Sequence, residues 1–329
     1  MTSLSRQRVL ITGGSGFIFS HLTRRLVAMG AEVAVLVRYG SVIDNVRIAD
    51  VWDDVHVIEA DIRDLDALRA IRAFAPQVVY HAAAYNHVGG SFGKFNEVLD
   101  VNAKGTANVL ESCENFERFI YISTSEVYGH QTEPIFAESM EPHPVSPYSV
   151  GKFAGELYCR MKMERMDQPI VVLRPFNAFG PYQTVRAVIP EMIEACLLGR
   201  TVRSTEGRQT REFNFVENLV DGFVLAAEKE AAIGQVINLG SGEEIAIRDL
   251  ITRIHAETGS TSKLEIGALP NRPTEIWRMS ASNDRARERL GWSPRVSFND
   301  GLTRTIAWYR EYLAQFKDRD SRLCRLCRI

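Results

Sequence analysis

The sequence predicts an α/β protein built on a doubly wound parallel sheet, with a smaller α/β unit in its second half. Short apolar runs alternate with helical patterns along the first half, at residues 8–12, 33–37, 55–58, 78–81, 119–122 and 170–173. Strands that alternate with helices in this way form βαβ units, whose parallel sheet is buried on both faces. After Asn177 the elements become shorter, which indicates a second unit.

The second half is predicted to contain helices over 188–198 and 247–258 and short strands over 202–203 and 263–266. Two further apolar runs, 213–216 and 235–239, are predicted to rejoin the main sheet. We therefore expect a first domain over 1–176 with 213–240, a second over 177–212 with 241–316, and a charged tail over 317–329. A binding cleft is expected between them, at the carboxyl ends of the strands.

Composition favours a globular protein with two core regions, since 45% of the 329 residues are hydrophobic and 24% are charged. The net charge of −2 provides no basic field for nucleic acid. Any phosphate bound is therefore expected to belong to a small molecule. Without a signal-peptide core or an apolar run of membrane length, we expect a cytoplasmic protein without a membrane partner.

The five cysteines are too few and too scattered for a disulfide framework. Cys324 and Cys327 have the spacing of half a zinc site, but no second pair accompanies them. We expect a frayed basic tail there and no metal site.

A glycine-rich turn follows the first predicted strand. Residues 13–18 read Gly-Gly-Ser-Gly-Phe-Ile, and a helical pattern follows through Leu22, Leu26 and Met29. Such a turn lets the backbone approach a pyrophosphate and directs helix-terminal amides at it. Strand, turn and helix occur in the order that nucleotide binding requires, although an ordinary tight turn is the alternative. The predicted contacts are Gly13, Ser15, Gly16, Phe17 and Ile18.

Tyr148 and Lys152 form an i,i+4 pair at the start of another predicted helix. Ser146 is a good N-cap and Pro147 suits the first helical position. The two side chains then share one face, and a cation one turn away is expected to favour the phenolate of Tyr148. Such a tyrosine could take a proton from an alcohol. Without further motifs, such a pair usually means a half-buried ring beside a solvated lysine.

These features occur together with further motifs in a fixed order. The motifs are Gly13-x-x-Gly16, Asp-Ile-Arg-Asp at 61–64, His-Ala-Ala-Ala at 81–84, Ser-Thr-Ser-Glu-Val-Tyr-Gly at 123–129, Tyr148-x-x-x-Lys152, Arg-Pro-Phe-Asn at 174–177 and Arg272-Pro273. The chain resembles the extended short-chain dehydrogenases, and within them the sugar-nucleotide epimerases and dehydratases, from about residue 7 to about 313. The resemblance implies a Rossmann domain, a smaller α/β substrate-binding domain and a nicotinamide cofactor.

The family's cofactor positions match a defined set of residues here. Besides the glycine turn they are Arg38, Asp61, Ile62, Ala82, Ala83, Ser123, Tyr148, Lys152 and Pro175. NAD-specific members carry an acidic residue at the end of the second strand, where this chain has Val37 followed by Arg38. A guanidinium suits a 2′-phosphate, so NADP is slightly favoured over NAD, although Arg38 could also stack on adenine.

Residue 19 departs from the family pattern, which has a third glycine where this chain has Phe19. That glycine allows the helix to pack closely on the strand. The ring of Phe19 is therefore expected to push the helix away and to weaken cofactor binding.

Thr124, Ser125 and Glu126 follow the strand at 119–122 and are expected to face Tyr148 across the cleft. The triplet resembles that of GDP-mannose 4,6-dehydratases, UDP-N-acetylglucosamine 4,6-dehydratases and UDP-glucuronate decarboxylases. It implies that Tyr148 oxidises C4 of a sugar with the cofactor, that Glu126 removes the C5 proton, and that Ser125 assists the leaving C6 hydroxyl. Considered without the family, the triplet is as easily a strand-end turn with a solvated carboxylate.

The family's substrate positions match Ser91, Thr124, Asn177, Arg186, Val188, Arg211 and Arg272. Among them, the resemblance implies that Asn177, Arg211 and Arg272 hold the diphosphate and nucleotide. For the arginines the alternative is surface salt bridging. The short segment 180–190 resembles that of the UDP-N-acetylglucosamine 4,6-dehydratases, whereas decarboxylases carry a longer, more polar insert.

Two helices carry wide apolar stripes. The first has Phe153, Ala154, Leu157, Tyr158 and Met161, and the second has Val98, Val101, Ala103, Val109 and Leu110. The resemblance implies that both helices pair with their copies in the four-helix bundle of a homodimer. Burial within one chain is the alternative.

The leading interpretation is a nucleotide-sugar 4,6-dehydratase that forms a 4-keto-6-deoxy sugar through transient C4 oxidation. A 4-epimerase or decarboxylase of a UDP-sugar is the alternative within the same chemistry. A cofactor-binding regulator with little turnover, suggested by Phe19, is the alternative of another class.

Overall fold

The computed structural model describes residues 4–38, 41–271 and 275–315. The strands, in chain order, are β1 Arg8–Thr12, β2 Glu32–Val37, β3 Val55–Glu59, β4 Val78–His81, β5 Arg118–Ile122, β6 Ile135–Phe136, β7 Ile170–Pro175, β8 Ala178–Phe179, β9 Val202–Ser204, β10 Thr210–Glu212, β11 Asn214–Phe215, β12 Val236–Leu239, β13 Glu244–Ala246, β14 Leu264–Ile266 and β15 Ser280–Ala281.

The α-helices are α1 Phe17–Ala28, α2 Arg69–Phe74, α3 Val88–Ser91, α4 Phe95–Leu99, α5 Gly105–Ser112, α6 Pro147–Met166, α7 Val188–Leu197, α8 Val216–Glu228, α9 Ile247–Thr258, α10 Asp284–Leu290 and α11 Phe298–Ala314. Segments of 3₁₀-helix occupy Ser41–Asp54, Asp66–Leu68, Ser125–Tyr128 and Glu230–Ala232, and a π-helical turn occupies Asp100–Lys104. Among the residues described here, no helix is both long and apolar enough to cross a membrane.

The main sheet has seven strands in the order β12, β7, β5, β4, β1, β2, β3, and every neighbouring pair is parallel. The predicted doubly wound sheet is confirmed. Alternate residues of β1 enter different cores: Val9 and Ile11 pack on one face with α1 and α8, whereas Leu10 packs on the other face. Burial on both faces explains why the strands read as continuous apolar runs.

A third core lies among α7, α9, α11 and the short strands of the second half, centred on Phe179, Ile193, Leu250 and Leu302. The division into two domains at the boundaries expected from the sequence stays a prediction. The predicted tail over 317–329, with Cys324 and Cys327, lies outside the described residues.

One predicted strand is wrong. The run 213–216 does not rejoin the main sheet, because β11 pairs with β8 in a separate two-stranded sheet and Val216 already begins α8. The other run does rejoin the main sheet, because β12 pairs with β7. A two-residue apolar segment carries too little pattern to identify its partner.

Helix α6 begins as predicted. Ser146 caps it, with its hydroxyl accepting from the Ser149 amide at 3.1 Å, and Pro147 takes the first position. The second helix with an apolar stripe is not continuous, because α4 and α5 are joined by the π-helical turn. Its Val98, Val109 and Leu110 are buried within the chain, whereas Val101 and Ala103 are half-buried, so the pairing of this stripe with a partner stays a prediction.

Phe19 lies in the core between α1 and α8. Its ring stacks on that of Phe223, with centroids 5.3 Å apart and planes at 7°, and only 7% of the residue is exposed. Close packing of α1 on β2 is provided by Gly14, where a Cβ would lie 2.7 Å from Val35 Cγ1. Weakened cofactor binding because of Phe19 stays a prediction.

His81, at the end of β4, is fully buried in a hydrogen-bond chain. The Thr12 hydroxyl accepts from the two amides after His81 at 3.1 Å, so its proton is directed to His81 Nδ1 at 2.8 Å. On the other side Thr106 Oγ1 lies 3.0 Å from Nε2 and donates to the Asn102 carbonyl. The imidazole is therefore neutral with its proton on Nε2.

Phe19→Ala should destabilise the protein, because it leaves a cavity opposite Phe223. We expect a loss of about 3–5 kcal/mol in the free energy of unfolding, measured by urea titration. The exposed Phe92→Ala is the matched control and should cost far less. Equal stability of Phe19→Ala and wild type would contradict the packing described.

His81 should make the protein less stable as the pH falls below 6.5. Burial lowers the pKa of His81 from 6.5 to about 3, with a smaller contribution from the Lys152 charge. Only the unfolded chain then binds this proton between pH 6.5 and 3, at a cost of at most about 1.4 kcal/mol per pH unit. Denaturant titrations at several pH values should show a shallower slope in His81→Asn. An unchanged slope would mean that His81 is protonated in the fold.

Candidate active site

The carboxyl ends of parallel strands meet at one edge of a sheet, and the turn after β1 lies at that edge. Gly13 has a φ of +74°, and a Cβ on it would lie 3.0 Å from the Ala83 amide nitrogen that follows β4. Both the backbone angle and the close approach require glycine. The turn thus holds the ends of β1 and β4 together.

Gly16 is the N-cap of α1 and provides no side-chain cap for the first turn of the helix. The amide of Gly16 donates to the Gly13 carbonyl at 2.9 Å, which closes the turn. The N-terminus of this twelve-residue helix thus lies at the same edge of the sheet, beside the cleft. This arrangement suits an anionic group such as a pyrophosphate.

A cleft of about 590 Å³ opens beside this turn. The cofactor residues predicted from the sequence that line it are Gly13, Ser15, Gly16, Phe17, Arg38, Asp61, Ile62, Ala82 and Ala83. Arg186, predicted to bind substrate, also lines it. Ile18 does not, because it packs between two hydrophobic cores. The predicted cofactor residues Ser123, Tyr148, Lys152 and Pro175 do not line it either.

Several lining residues were missed by the sequence analysis. They include Arg47, Arg63, Gln183 and Thr184. Arg63 belongs to the motif at 61–64, so a signal for it existed. Arg47 lies in an irregular 3₁₀ segment and reaches the cleft by donating to the Tyr182 carbonyl at 2.9 Å, a contact that no local pattern indicates.

The rim of the cleft at the ends of β2 and β3 is basic. Arg38 is exposed there, and Arg63 makes a forked ion pair with Asp61 at 2.5–3.1 Å. The Arg63 guanidinium lowers the pKa of Asp61, and Arg38 adds to the effect. Because the Arg63 guanidinium pairs with the Asp61 carboxylate, it compensates the negative charge of Asp61 at the cleft.

The predicted catalytic triplet lies at the carboxyl end of β5. Thr124 caps the 3₁₀ turn Ser125–Tyr128, with its hydroxyl accepting from the Glu126 amide at 3.2 Å. Thr124 and Ser125 are buried, whereas Glu126 is half-buried. A hydrogen bond joins Thr124 to the half-buried Tyr148, and the charge of Glu126 acts on the same phenol. Residues from β5 and α6 thus converge as predicted.

The effect of Lys152 on the Tyr148 phenolate stays a prediction, because burial is the largest influence on the pKa of Tyr148 in this structure. Burial raises the pKa of Tyr148 to about 12, the Thr124 hydrogen bond lowers it, and Glu126 raises it. Burial also lowers the pKa of Lys152 to about 7. The Lys152 Nζ lies 4.5 Å from the centroid of the Tyr121 ring, so the desolvated ammonium is placed over an aromatic face.

A buried ion pair supports the base of this site. Glu156, one turn beyond Lys152 on α6, accepts from Arg174 Nη2 at 2.5 Å and from Arg174 Nε at 3.1 Å. It also accepts from the hydroxyl of Ser123 at 2.7 Å. The hydroxyl of Ser123, a residue predicted to bind the cofactor, therefore donates its hydrogen bond to α6. Pro175, also predicted there, ends β7 and is half-buried.

The predicted substrate residues lie in several different parts of the structure. Asn177 donates to the Glu212 carbonyl at 3.2 Å, and Arg211 forms an ion pair with Glu275 at 2.6 Å. Ser91 is buried with its hydroxyl donating to the Val88 carbonyl, and Val188 packs against the third core. Arg272 lies outside the described residues. In the part of the chain that the structure describes, no cluster of His, Cys, Asp and Glu could hold a metal.

Comparison with known proteins identifies the family. The family model for GDP-mannose 4,6 dehydratase matches residues 10–305. The dTDP-D-glucose 4,6-dehydratase of Bos taurus is 31% identical, covering 96% of this chain and 92% of that protein. The UDP-glucose 4-epimerase of Mycolicibacterium smegmatis is 34% identical, covering 92% of this chain and 98% of that protein.

A solved structure of similar fold is the dTDP-glucose 4,6-dehydratase DesIV of Streptomyces venezuelae, which has NAD bound. It is 29% identical with a TM-score of 0.87, covering 94% of this chain and 99% of that one. The relatives are enzymes that dehydrate or epimerise nucleotide sugars. The chain therefore belongs to the GDP-mannose 4,6-dehydratase family, within the extended short-chain dehydrogenases that act on nucleotide sugars with a nicotinamide cofactor.

Proposed function

We propose that this protein is a nucleotide-sugar 4,6-dehydratase. The observation that carries the proposal is the position of Glu126, a half-buried carboxylate in the turn after β5 whose charge acts on the Tyr148 phenol. An epimerase that works only at C4 needs one acid–base group, whereas elimination of water across C5 and C6 needs a second. Glu126 is that second group.

Each residue of the site has one role. Tyr148 accepts the proton of the C4 hydroxyl, and the hydrogen bond from Thr124 favours the phenolate. The resulting ketone acidifies the C5 hydrogen, which Glu126 removes. Ser125, buried beside Glu126, donates to the departing C6 oxygen, which leaves as water. Protonated Glu126 replaces the proton that Ser125 gives up, and the sugar becomes a 4-keto-6-deoxy sugar once hydride has been added at C6 and a solvent-derived proton at C5.

The cleft fits a nicotinamide dinucleotide, which would supply hydride acceptance from C4 and hydride donation to C6. Gly13 leaves room for a phosphate against the backbone, and the N-terminus of α1 faces it without a side-chain cap. The neighbour from Streptomyces venezuelae binds NAD. We favour NADP for this chain, because Arg38 follows Val37 where an acid would hold the NAD ribose and the rim is basic.

We also propose a homodimer that pairs through α6. Leu157 and Met161 of the predicted stripe are 49% and 38% exposed, and Phe95 and Leu99 of α4 are 54% and 39% exposed. A surface of this kind on two neighbouring helices suits a second copy of the chain. Phe153 and Tyr158 of the stripe instead pack within the chain.

Glu126→Gln tests the dehydratase. The amide keeps the shape but cannot remove the C5 proton, so C4 oxidation should continue while elimination stalls. Reduced nicotinamide should then accumulate, visible by absorbance, while net turnover falls about 10²–10⁴-fold. Because the negative charge that raises the pKa of Tyr148 is lost, the rising limb of the pH profile for C4 oxidation should also move to lower pH.

Glu133→Gln is the control, since this carboxylate is exposed and outside the site. Turnover of Glu126→Gln at the wild-type rate, without accumulation of reduced cofactor, would contradict the role of Glu126 and favour a 4-epimerase.

Arg38→Ala should weaken NADP binding more than NAD binding. A lost charged hydrogen bond to the 2′-phosphate costs about 1.5–3 kcal/mol, or roughly tenfold to a hundredfold in affinity. Calorimetric titration of both cofactors into both proteins measures this. A preference for NAD that the substitution leaves unaltered would reject NADP as the cofactor.

A further inference from the structure

Glu212, the last residue of β10, is fully buried although it is a carboxylate. Its oxygens accept hydrogen bonds from two short segments. The donors are the Ser241 amide at 3.0 Å, the Gly242 amide at 3.2 Å, the Ser280 hydroxyl at 3.2 Å and the Ala281 amide at 2.8 Å. One side chain thus joins the loop after β12 and the strand β15 to β10.

The loop after β12 is shaped to admit this carboxylate. A Cβ at Gly240 would lie 1.9 Å from Glu212 Oε1, so only glycine allows the carboxylate to reach the amides. The same loop is tied to Asn283, which accepts from the Gly240 amide at 3.0 Å and donates to its carbonyl at 2.9 Å. We call the contact of Glu212 with residues 240–242 and β15 the junction. Both the Glu212 carboxylate and the Asn283 side chain hold the loop in it.

Every neighbour that bonds to the carboxylate is a donor, so an ionised carboxylate is the group that satisfies all four. A protonated acid or an amide would bring a donor hydrogen of its own towards one of these four donors, and that hydrogen bond would be lost. Burial raises the pKa of Glu212 to about 7, and the bonds from Ala281, Gly242, Ser280 and Ser241 act in the opposite direction. A buried charge compensated only by neutral donors is costly, so the four hydrogen bonds must hold the two segments closely around it.

The residues around this junction are those that the family resemblance assigns to substrate. Arg211 immediately precedes Glu212 in β10, and Asn177 donates to the Glu212 backbone carbonyl. Arg211 forms an ion pair with Glu275, which precedes β15 in the chain. A shift of β10 relative to β15 would therefore move the guanidinium of Arg211.

We propose that Glu212 is a positioning residue for substrate: its carboxylate fastens the 240–242 loop and β15 to β10 and thereby holds Arg211 and Asn177 in place for the diphosphate of a nucleotide sugar. The inference rests on the proposed function, because it assumes a nucleoside diphosphate as ligand. It predicts a defect in substrate binding that leaves the cofactor cleft intact, since no residue of the junction lines that cleft.

The test measures two affinities separately in Glu212→Gln. UDP, dTDP and GDP are titrated as probes of the substrate site, and NADP and NAD as probes of the cofactor cleft. Binding of the preferred nucleoside diphosphate should weaken at least about tenfold, with cofactor affinity within about twofold of wild type. Glu212→Asp keeps two acceptor oxygens and should recover part of the loss. In turnover the defect should appear as a raised KM for the nucleotide sugar, with kcat much less affected.

Glu265→Gln is the matched control, because Glu265 lies on β14 and pairs with Lys263 and Arg203 away from β10 and β15. It should leave both affinities within about twofold. Gly240→Ala displaces the carboxylate without removing it and should reproduce the diphosphate defect, which keeps the test decisive if Glu212→Gln does not fold.

Equal diphosphate affinity in Glu212→Gln and wild type would overturn the positioning role. Parallel loss of cofactor and diphosphate binding in the Glu212 and Gly240 variants would also overturn it, by showing a general scaffold role. A wild-type protein that binds none of the three diphosphates would instead reject the proposed function.

Discussion

The buried ion pair between Arg174 and Glu156 fixes α6 on the sheet, and the geometry of the active site depends on where that helix lies. Arg174 belongs to β7 and Glu156 to α6, and Ser123 at the end of β5 donates to the same carboxylate. Both charged residues are at most 1% exposed. Removing one partner of such a pair leaves an uncompensated buried charge, typically at a cost of 3–5 kcal/mol. The ion pair thus holds the helix that carries Tyr148 and Lys152 in its position beside Thr124.

Close packing reinforces this lock and sets the electrostatics of the site. A Cβ at Gly155 would lie 2.6 Å from the Asn102 carbonyl oxygen, so glycine lets α6 approach the π-helical turn. The same closeness removes Lys152 and Tyr148 from water, which lowers the pKa of the lysine and raises that of the tyrosine. The hydrogen bond from Thr124 lowers the pKa of Tyr148 and so favours the phenolate that the proposed mechanism requires.

Much of the fold could be predicted from sequence, because the strands of the main sheet other than the edge strand β3 are largely buried and appear as apolar runs. The start of α6 was likewise readable from Ser146 and Pro147. The π-helical turn at Asp100–Lys104 was not, since Val98, Val101 and Val109 keep a helical spacing through it. The pairing of β11 with β8 escaped prediction because two residues carry no register.

For the candidate site, motif residues such as Gly13 and Asp61 could be predicted to lie at the cleft because their positions follow strand ends. The pKa of Tyr148 could not, because burial is a tertiary property that outweighs an i,i+4 neighbour. Nor could the four donors around Glu212, which come from segments 29 to 69 residues away along the chain. The most direct test of a dehydratase is turnover of a panel of UDP-, dTDP-, GDP- and CDP-sugars in deuterated water, with the products analysed by mass spectrometry and NMR. A dehydratase must yield a product that has lost water and carries deuterium at C5, whereas an efficiently formed product that keeps its C6 hydroxyl and has no deuterium at C5 would contradict elimination.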